Sequence, residues 1–176
     1  MLLKIEKYGS EKLRESAKKV AVTPELAVLA EDMLETMYKA KGVGLAAEQV
    51  GRTESLCVID VPLSCEDDEE TKAFNAAVMQ PLIMFNPEIV SFSGEQTGRE
   101  GCLSLPNVGG DVTRPFEVTV QFLDIKGIPQ IITVRGFLAR AVCHETDHLK
   151  GVLYVDRMDE KSRDKVLKKL LKNKSK

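Results

Sequence analysis

Gly136-Phe137-Leu138-Ala139-Arg140-Ala141-Val142-Cys143-His144-Glu145-Thr146-Asp147-His148 is the stretch that decides the fold. It opens on glycine, runs without a helix breaker and is followed by Gly151, so it reads as one helix ending in a His-Glu-x-x-His run. Both histidines of the 176-residue chain lie in that run. Side chains four apart on an α-helix are separated by about 40° around the axis, so His144 and His148 can address one ion. Glu145 is turned about 100° from His144, close enough to serve a water molecule as general base without ligating. A chance match on a surface helix is the competing account of these five residues taken alone.

The chain leading into this helix reads as β-rich from Leu82, with turns expected at Asn86-Pro87 and Ser93-Gly94. Phe116 to Leu123 alternates as a strand, Asp124-Ile125-Lys126-Gly127 turns it, and Gln130 to Val134 returns it as a hairpin. Further out, Thr23-Pro24 is an N-cap followed by proline at the first helical position. Leu26, Leu29, Met33 and Met37 follow at helical spacing, and the helix is predicted to run to about Lys41 with Gly42 capping its end. Glu11 to Val20 reads as a short helix or turn and Ser55 to Leu63 as a strand. Cys65 to Glu70 is expected to be an exposed acidic loop, and Thr71 to Gln80 has no stable assignment. A final helix is expected from near Asp159 to about Asn173, with Val166, Leu167, Leu170 and Leu171 on one face. No internal repeat and no second domain is evident, so residues 1–176 are read as one domain of the α+β class, with the histidine-bearing helix, a candidate metal-site helix, among antiparallel strands and flanking helices.

The formal net charge of -2 selects neither nucleic acid nor membrane as a partner. It conceals an asymmetry: Glu160 to Lys176 carries eight Lys/Arg against two acids, leaving the rest of the chain distinctly acidic. Such a tail is either a solvated helix end or a contact for an anionic partner. No segment approaches the roughly 18 apolar residues of a membrane span. Met1 to Glu6 has no apolar signal core, and the expected location is cytoplasmic. Cys57, Cys65, Cys102 and Cys143 are therefore expected as free thiols or ligands rather than disulfides.

An open catalytic metal site takes three protein ligands. With no third histidine, the remaining ligand is a carboxylate or a thiolate. Cys102, in Glu100-Gly101-Cys102-Leu103-Ser104-Leu105-Pro106, is the best-placed thiol, since glycine and proline hold it at a turn or strand end. Cys143 points about 100° away from its neighbour His144 and reads as a small buried hydrophobe. Cys57 reads as core. The small-residue segment Gly42-Val43-Gly44-Leu45-Ala46-Ala47-Glu48-Gln49 lets the backbone approach something closely.

These three segments, in this order, resemble the peptide deformylases, and the similarity extends through Gly151-Val152-Leu153-Tyr154-Val155-Asp156-Arg157. The resemblance implies a hydrolase that removes the N-formyl group from the initiator formylmethionine of new polypeptides and releases formate. It implies that Cys102, His144 and His148 bind one divalent metal ion. Fe(II) is expected, and Zn(II), Ni(II) or Co(II) can replace it. It assigns Glu145 as general base, and the Gln49 side-chain amide and Leu103 backbone N–H as donors to the oxyanion. Val43, Gly44, Phe137 and Ala141 are expected around the formylmethionyl peptide, although core packing accounts for Val43, Phe137 and Ala141 equally well. Asp147 and Arg114 are candidates for a buried ion pair bracing the helix, with Glu100 beside them. The basic C-terminal helix is a candidate ribosome contact.

The sequence departs from the family in two places. No arginine stands near Gly109, where many bacterial relatives carry one that touches the peptide, and residues 65–80 look longer than in compact members. Two other functions compete: a zinc peptidase, which shares the histidine motif but needs neither Cys102 nor Gln49, and a silent metal-binding scaffold, which would not need to keep Glu145.

Overall fold

A computed structural model describes residues 1–176 in full. In chain order the elements are α1 (Pro24–Lys39), β1 (Gly44–Ala46), β2 (Leu56–Ile59), α2 (Glu69–Asn75), β3 (Leu82–Ser93), β4 (Gln96–Cys102), β5 (Leu105–Arg114), β6 (Glu117–Leu123), β7 (Pro129–Arg135), α3 (Gly136–His148) and α4 (Glu160–Lys174), with one-turn 3-10 helices at Glu11–Arg14, Ala47–Val50, Leu63–Cys65 and Tyr154–Arg157. Five strands form one antiparallel sheet in the order β1-β2-β3-β6-β7, and β4 and β5 form a separate hairpin. The architecture is the expected α+β one.

Helix α3 lies between these two sheets, and every residue in it except Phe137 is buried. Leu138, Ala139 and Val142 pack with Val118, Val120 and Val134 from alternate positions of β6 and β7. A second cluster covers the hairpin: Leu105, Val108 and Val112 of β5 meet Tyr154, Val155 and the Val166 and Leu170 face of α4. A third joins Leu29, Ala30, Met33 and Met37 of α1 to Leu45, Leu56 and Val58. Each large apolar side chain so buried contributes roughly 1.5–3 kcal/mol, which offsets the cost of enclosing a helix that carries charge.

Helix α1 begins as its sequence predicts, with the Thr23 hydroxyl accepting from the Leu26 N–H at 3.2 Å. It ends differently: Lys41, at φ 59°, takes the left-handed cap position rather than Gly42. Gly42 is needed elsewhere, because a Cβ there would press into the Leu103 side chain. The expected turn at Asn86-Pro87 is instead an irregularity inside a continuous β3. Asn86, at φ 51°, bonds the Val20 backbone through both ends of its amide. The acidic loop is also a correction. Its Asp68 caps α2 by accepting from the Thr71 N–H, and Glu66 is buried. Asp67 to Glu70 are exposed as expected, and only Glu66 points inward.

Candidate metal and catalytic site

The sequence brings its ligand candidates together from opposite sides of the molecule. His144 and His148 come from the last turns of α3, and Cys102 ends β4 at the tight turn into β5. The two Nε2 atoms stand 3.2 Å apart, and Cys102 Sγ is 3.4 Å from His148 Nε2. Around a tetrahedral ion with metal–nitrogen bonds near 2.0 Å and a metal–sulfur bond near 2.3 Å, such atoms would be separated by about 3.3–3.6 Å. All three ligand atoms lie within 4.8 Å of one another. The His144 Nδ1–H donates to Glu100 Oε1 at 2.9 Å, which fixes the ring with its Nε2 facing the shared point. Hydrogen bonds to Cys102 and Glu100 outweigh burial and hold His144 well above the usual imidazole range. Burial and the neighbouring His144 push His148 well below it. A thiol and two imidazoles converging on one point form a donor set that a divalent cation fits.

Glu145 faces the same space. Burial raises its carboxyl to about 7 against the opposing pull of His144, and Oε2 has no partner. The segment Gly42–Gln49 explains itself here: a Cβ on Gly44 would overlap the Glu145 carboxylate. The close approach that its small residues permit is therefore first of all to the Glu145 carboxylate. Burial pushes the Cys143 thiol up to about 11, so it stays a neutral core group as expected. All four cysteines are free, with Cys65 half-buried rather than exposed.

A cleft of about 580 Å³ opens over the centre, and Val43, Gly44, Gln49, Cys102, Leu103, Phe137, Ala141, His144 and Glu145 all line it. His148 lies behind it, almost fully buried. Strand β1 is the outer strand of its sheet, with Gly44 at its start, so its free side borders the cleft. The Gln49 side-chain oxygen Oε1 accepts from the Ala46 N–H at 3.0 Å. Its amide nitrogen donates to Ser104 Oγ at 3.1 Å and lies 3.4 Å from Cys102 Sγ, which points its N–H groups at the cysteine end of the site.

The residues behind the candidate ligands form one ionic chain. Glu100 accepts from Arg114 at 2.9 and 3.0 Å and from Arg140 at 2.9 Å. Arg114 also donates to Asp147 at 2.6 Å, and Asp147 receives Arg157 at 2.9 and 3.0 Å. Although burial opposes ionisation, His144 and Arg114 bring Glu100 down to about 2. The expected Arg114–Asp147 pair is present, with Glu100 joined to it. Arg140, Arg157, Ser104 and Tyr154, whose ring stacks on His144 at 6.0 Å, escaped the sequence reading because their roles are set by contacts between distant segments. Near Gly109 a guanidinium is present after all: Arg99 on β4 reaches across, with Cζ 3.2 Å from where a Cβ on Gly109 would stand.

Two histidines and a cysteine converging beneath an unpaired glutamate, at the floor of a cleft, have the arrangement of a metal-dependent hydrolase. A family profile described as polypeptide deformylase matches residues 2–164. The peptide deformylase of Lachnoclostridium phytofermentans is 51% identical over 138 residues, 78% of this chain and 77% of that protein. The crystal structure of peptide deformylase from Ehrlichia chaffeensis superposes with a TM-score of 0.88 at 34% identity, covering 99% of this chain and 98% of that one. A peptide deformylase from Synechococcus elongatus in complex with actinonin gives 0.83 at 41% identity, over 95% and 86% of the two chains. The chain belongs to the polypeptide deformylase family, enzymes that remove the N-formyl group from nascent peptides.

Proposed function

We propose that residues 1–176 act as one catalytic unit in which Cys102, His144 and His148 hold a single divalent ion, Fe(II) foremost, with Zn(II), Ni(II) or Co(II) as substitutes. The observation that carries this is the convergence of Cys102 Sγ and the two Nε2 atoms beside an unpartnered Glu145 oxygen. Thiolate and imidazole donors suit several of these metals, so the choice among them is made by measurement. An ion bound there supplies Lewis acidity that makes water a nucleophile near neutral pH.

In this reading the formylmethionyl peptide lies along the open side of β1 as an added strand, with Gly44 against its backbone. Val43, Phe137 and Ala141 surround the methionine side chain. Glu145 takes a proton from the attacking water and gives it to the departing amine, so that formate and a free amino terminus leave. The carbonyl oxygen becomes negative as the tetrahedral intermediate forms. The Gln49 amide and the Leu103 N–H donate to it, and losing one such donor costs about 3 kcal/mol of barrier.

The test is formate release from formyl-Met peptides after anaerobic loading with Fe(II) or Zn(II), beside an internally cleavable peptide without a formyl group. Formate from the first and no cleavage of the second is the expected result. Cleavage of the second would favour a peptidase.

The basic helix α4 is proposed to work in the cytoplasm against ribosomal RNA. Val166 and Leu170 are buried against the hairpin while the lysines face outward, which supports the reading. Co-sedimentation with ribosomes should fall as salt rises. Binding unchanged by deletion of Lys172–Lys176 at low salt would remove it. No helix is long and apolar enough to cross a membrane.

A further inference from the structure

Helix α3 begins without a cap of its own. Arg135 occupies the N-cap position and its side chain makes no capping bond. The first four N–H groups of a helix need partners from outside it. Here two are taken by a residue far away in sequence: Glu66 accepts from the Phe137 N–H at 2.5 Å and from the Leu138 N–H at 3.2 Å. A carboxylate at the positive end of a helix is stabilising as well as satisfying. Glu66 is buried and is itself held by the Asn75 amide at 2.8 Å. Asn75 grips Arg135 at both backbone atoms, donating to its carbonyl at 2.9 Å and accepting its N–H at 3.0 Å. Gly136, at φ 61°, makes room, because a Cβ there would overlap both Glu66 and Thr71.

Phe137, whose N–H this carboxylate holds, is the one residue of α3 that is not buried. Its side chain is a shared wall between the main cleft and a neighbouring cavity of about 360 Å³ beneath residues 65–71. The other end of α3 is anchored independently, by Glu100 at His144 and by Arg114 and Arg157 at Asp147.

We infer that Glu66 and Asn75 form a clasp that sets the position of Phe137 and so the fit of the substrate's first side chain, with Glu66 a positioning residue for specificity rather than for the chemistry. The inference rests on Phe137 being a wall of the methionine pocket, as proposed above. Loosening the clasp frees the first turn of α3 while the metal ligands and Glu145, two turns on, keep their supports.

The experiment compares formyl-Met and formyl-Ala tripeptides, identical elsewhere, on the metal-loaded wild-type, Glu66→Gln, Asn75→Ala and Lys72→Ala proteins. Glutamine keeps the shape of Glu66 but turns an amide N–H toward helix donors. Alanine as substrate is too short to use the Phe137 wall. The expected result is a preference for Met over Ala that falls about tenfold in Glu66→Gln and Asn75→Ala, mostly through KM, the scale of one lost hydrogen bond to a charged group. Metal content should stay at one ion per chain, and amide exchange should quicken at Phe137 and Leu138 but not at His144. Lys72→Ala, which removes only a surface pair with Glu69, should leave the preference unchanged. An unchanged preference in both clasp variants overturns the inference. So does an equal loss on both peptides, or a variant that loses metal or fails to fold, since each would make Glu66 a residue of general stability. No formate release by the wild type on either peptide would instead sink the functional reading itself.

Discussion

Replacing Glu48 with glutamine should change how the stability of this protein depends on pH. Glu48 sits in the 3-10 turn after β1, wholly buried, with neither carboxylate oxygen hydrogen-bonded. Burial, with lesser contributions from Glu145, Glu15 and Glu54, raises its carboxyl from 4.5 to about 8. The folded state therefore holds a proton that the unfolded chain has lost over this range. Stability from this group is complete below about pH 4.5 and disappears as pH climbs through about 8. At about 1.36 kcal/mol per pH step, the full difference is roughly 5 kcal/mol, most of which falls between pH 5 and pH 8. Glutamine has the same shape and does not titrate, so whatever its buried amide costs is constant with pH. Urea unfolding of both metal-loaded proteins at several pH values supplies the test, and the quantity to follow is wild type minus variant, which cancels the other titrating groups. The variant should gain on the wild type by roughly 3 kcal/mol or more across the interval. A difference that stays flat within about 1 kcal/mol would refute the reasoning, and would mean that Glu48 is ionised and hydrated where it sits.

Other outcomes follow from the site. Glu145→Gln should keep one metal ion per chain by elemental analysis yet lose about 10²- to 10⁴-fold in kcat, and full activity would remove Glu145 as the base. Gly44→Ala should lower kcat by about 10- to 100-fold with normal metal content, because the new Cβ displaces the Glu145 carboxylate by a fraction of its length. Arg114→Ala strands Glu100 and Asp147 without their shared partner and should destabilise the fold by about 3–5 kcal/mol in urea melts. Unaltered stability and metal affinity in that variant would show that Arg140 and Arg157 suffice.

The parts of this structure that were legible in the sequence are those governed by local chemistry. The Thr23-Pro24 start of α1, the Asp124–Gly127 hairpin turn and the helical spacing of His144 and His148 each follow from neighbouring residues. Cys102 was singled out because a metal needs a third ligand and its glycine-flanked setting suited one, and the fold brings its thiol beside both imidazoles. What stayed hidden was pairing over distance. Glu66 looked like loop polarity because its partners, the Phe137 and Leu138 N–H groups, lie far down the chain. The hairpin of β4 and β5 carries its inward residues at Glu100, Val108, Val112 and Arg114 in a pattern too mixed in polarity to announce a strand. Lys41 took the cap expected of Gly42 because the glycine was committed to Leu103.

Cys102 and the two histidines belong to different packing units, the thiol to the hairpin covered by α4 and the imidazoles to the helix under the five-stranded sheet. An ion joining them closes the long loop of chain between Cys102 and His144 much as a cross-link would, restricting the unfolded ensemble and tying two halves that are otherwise held by side-chain contacts. An ion held there would be a fastener as well as a reagent. Its removal should let the hairpin and α4 breathe away from the central helix well before the five-stranded sheet loosens, so that the damage from losing the ion is to the architecture of one seam and not only to the reaction that happens beside it.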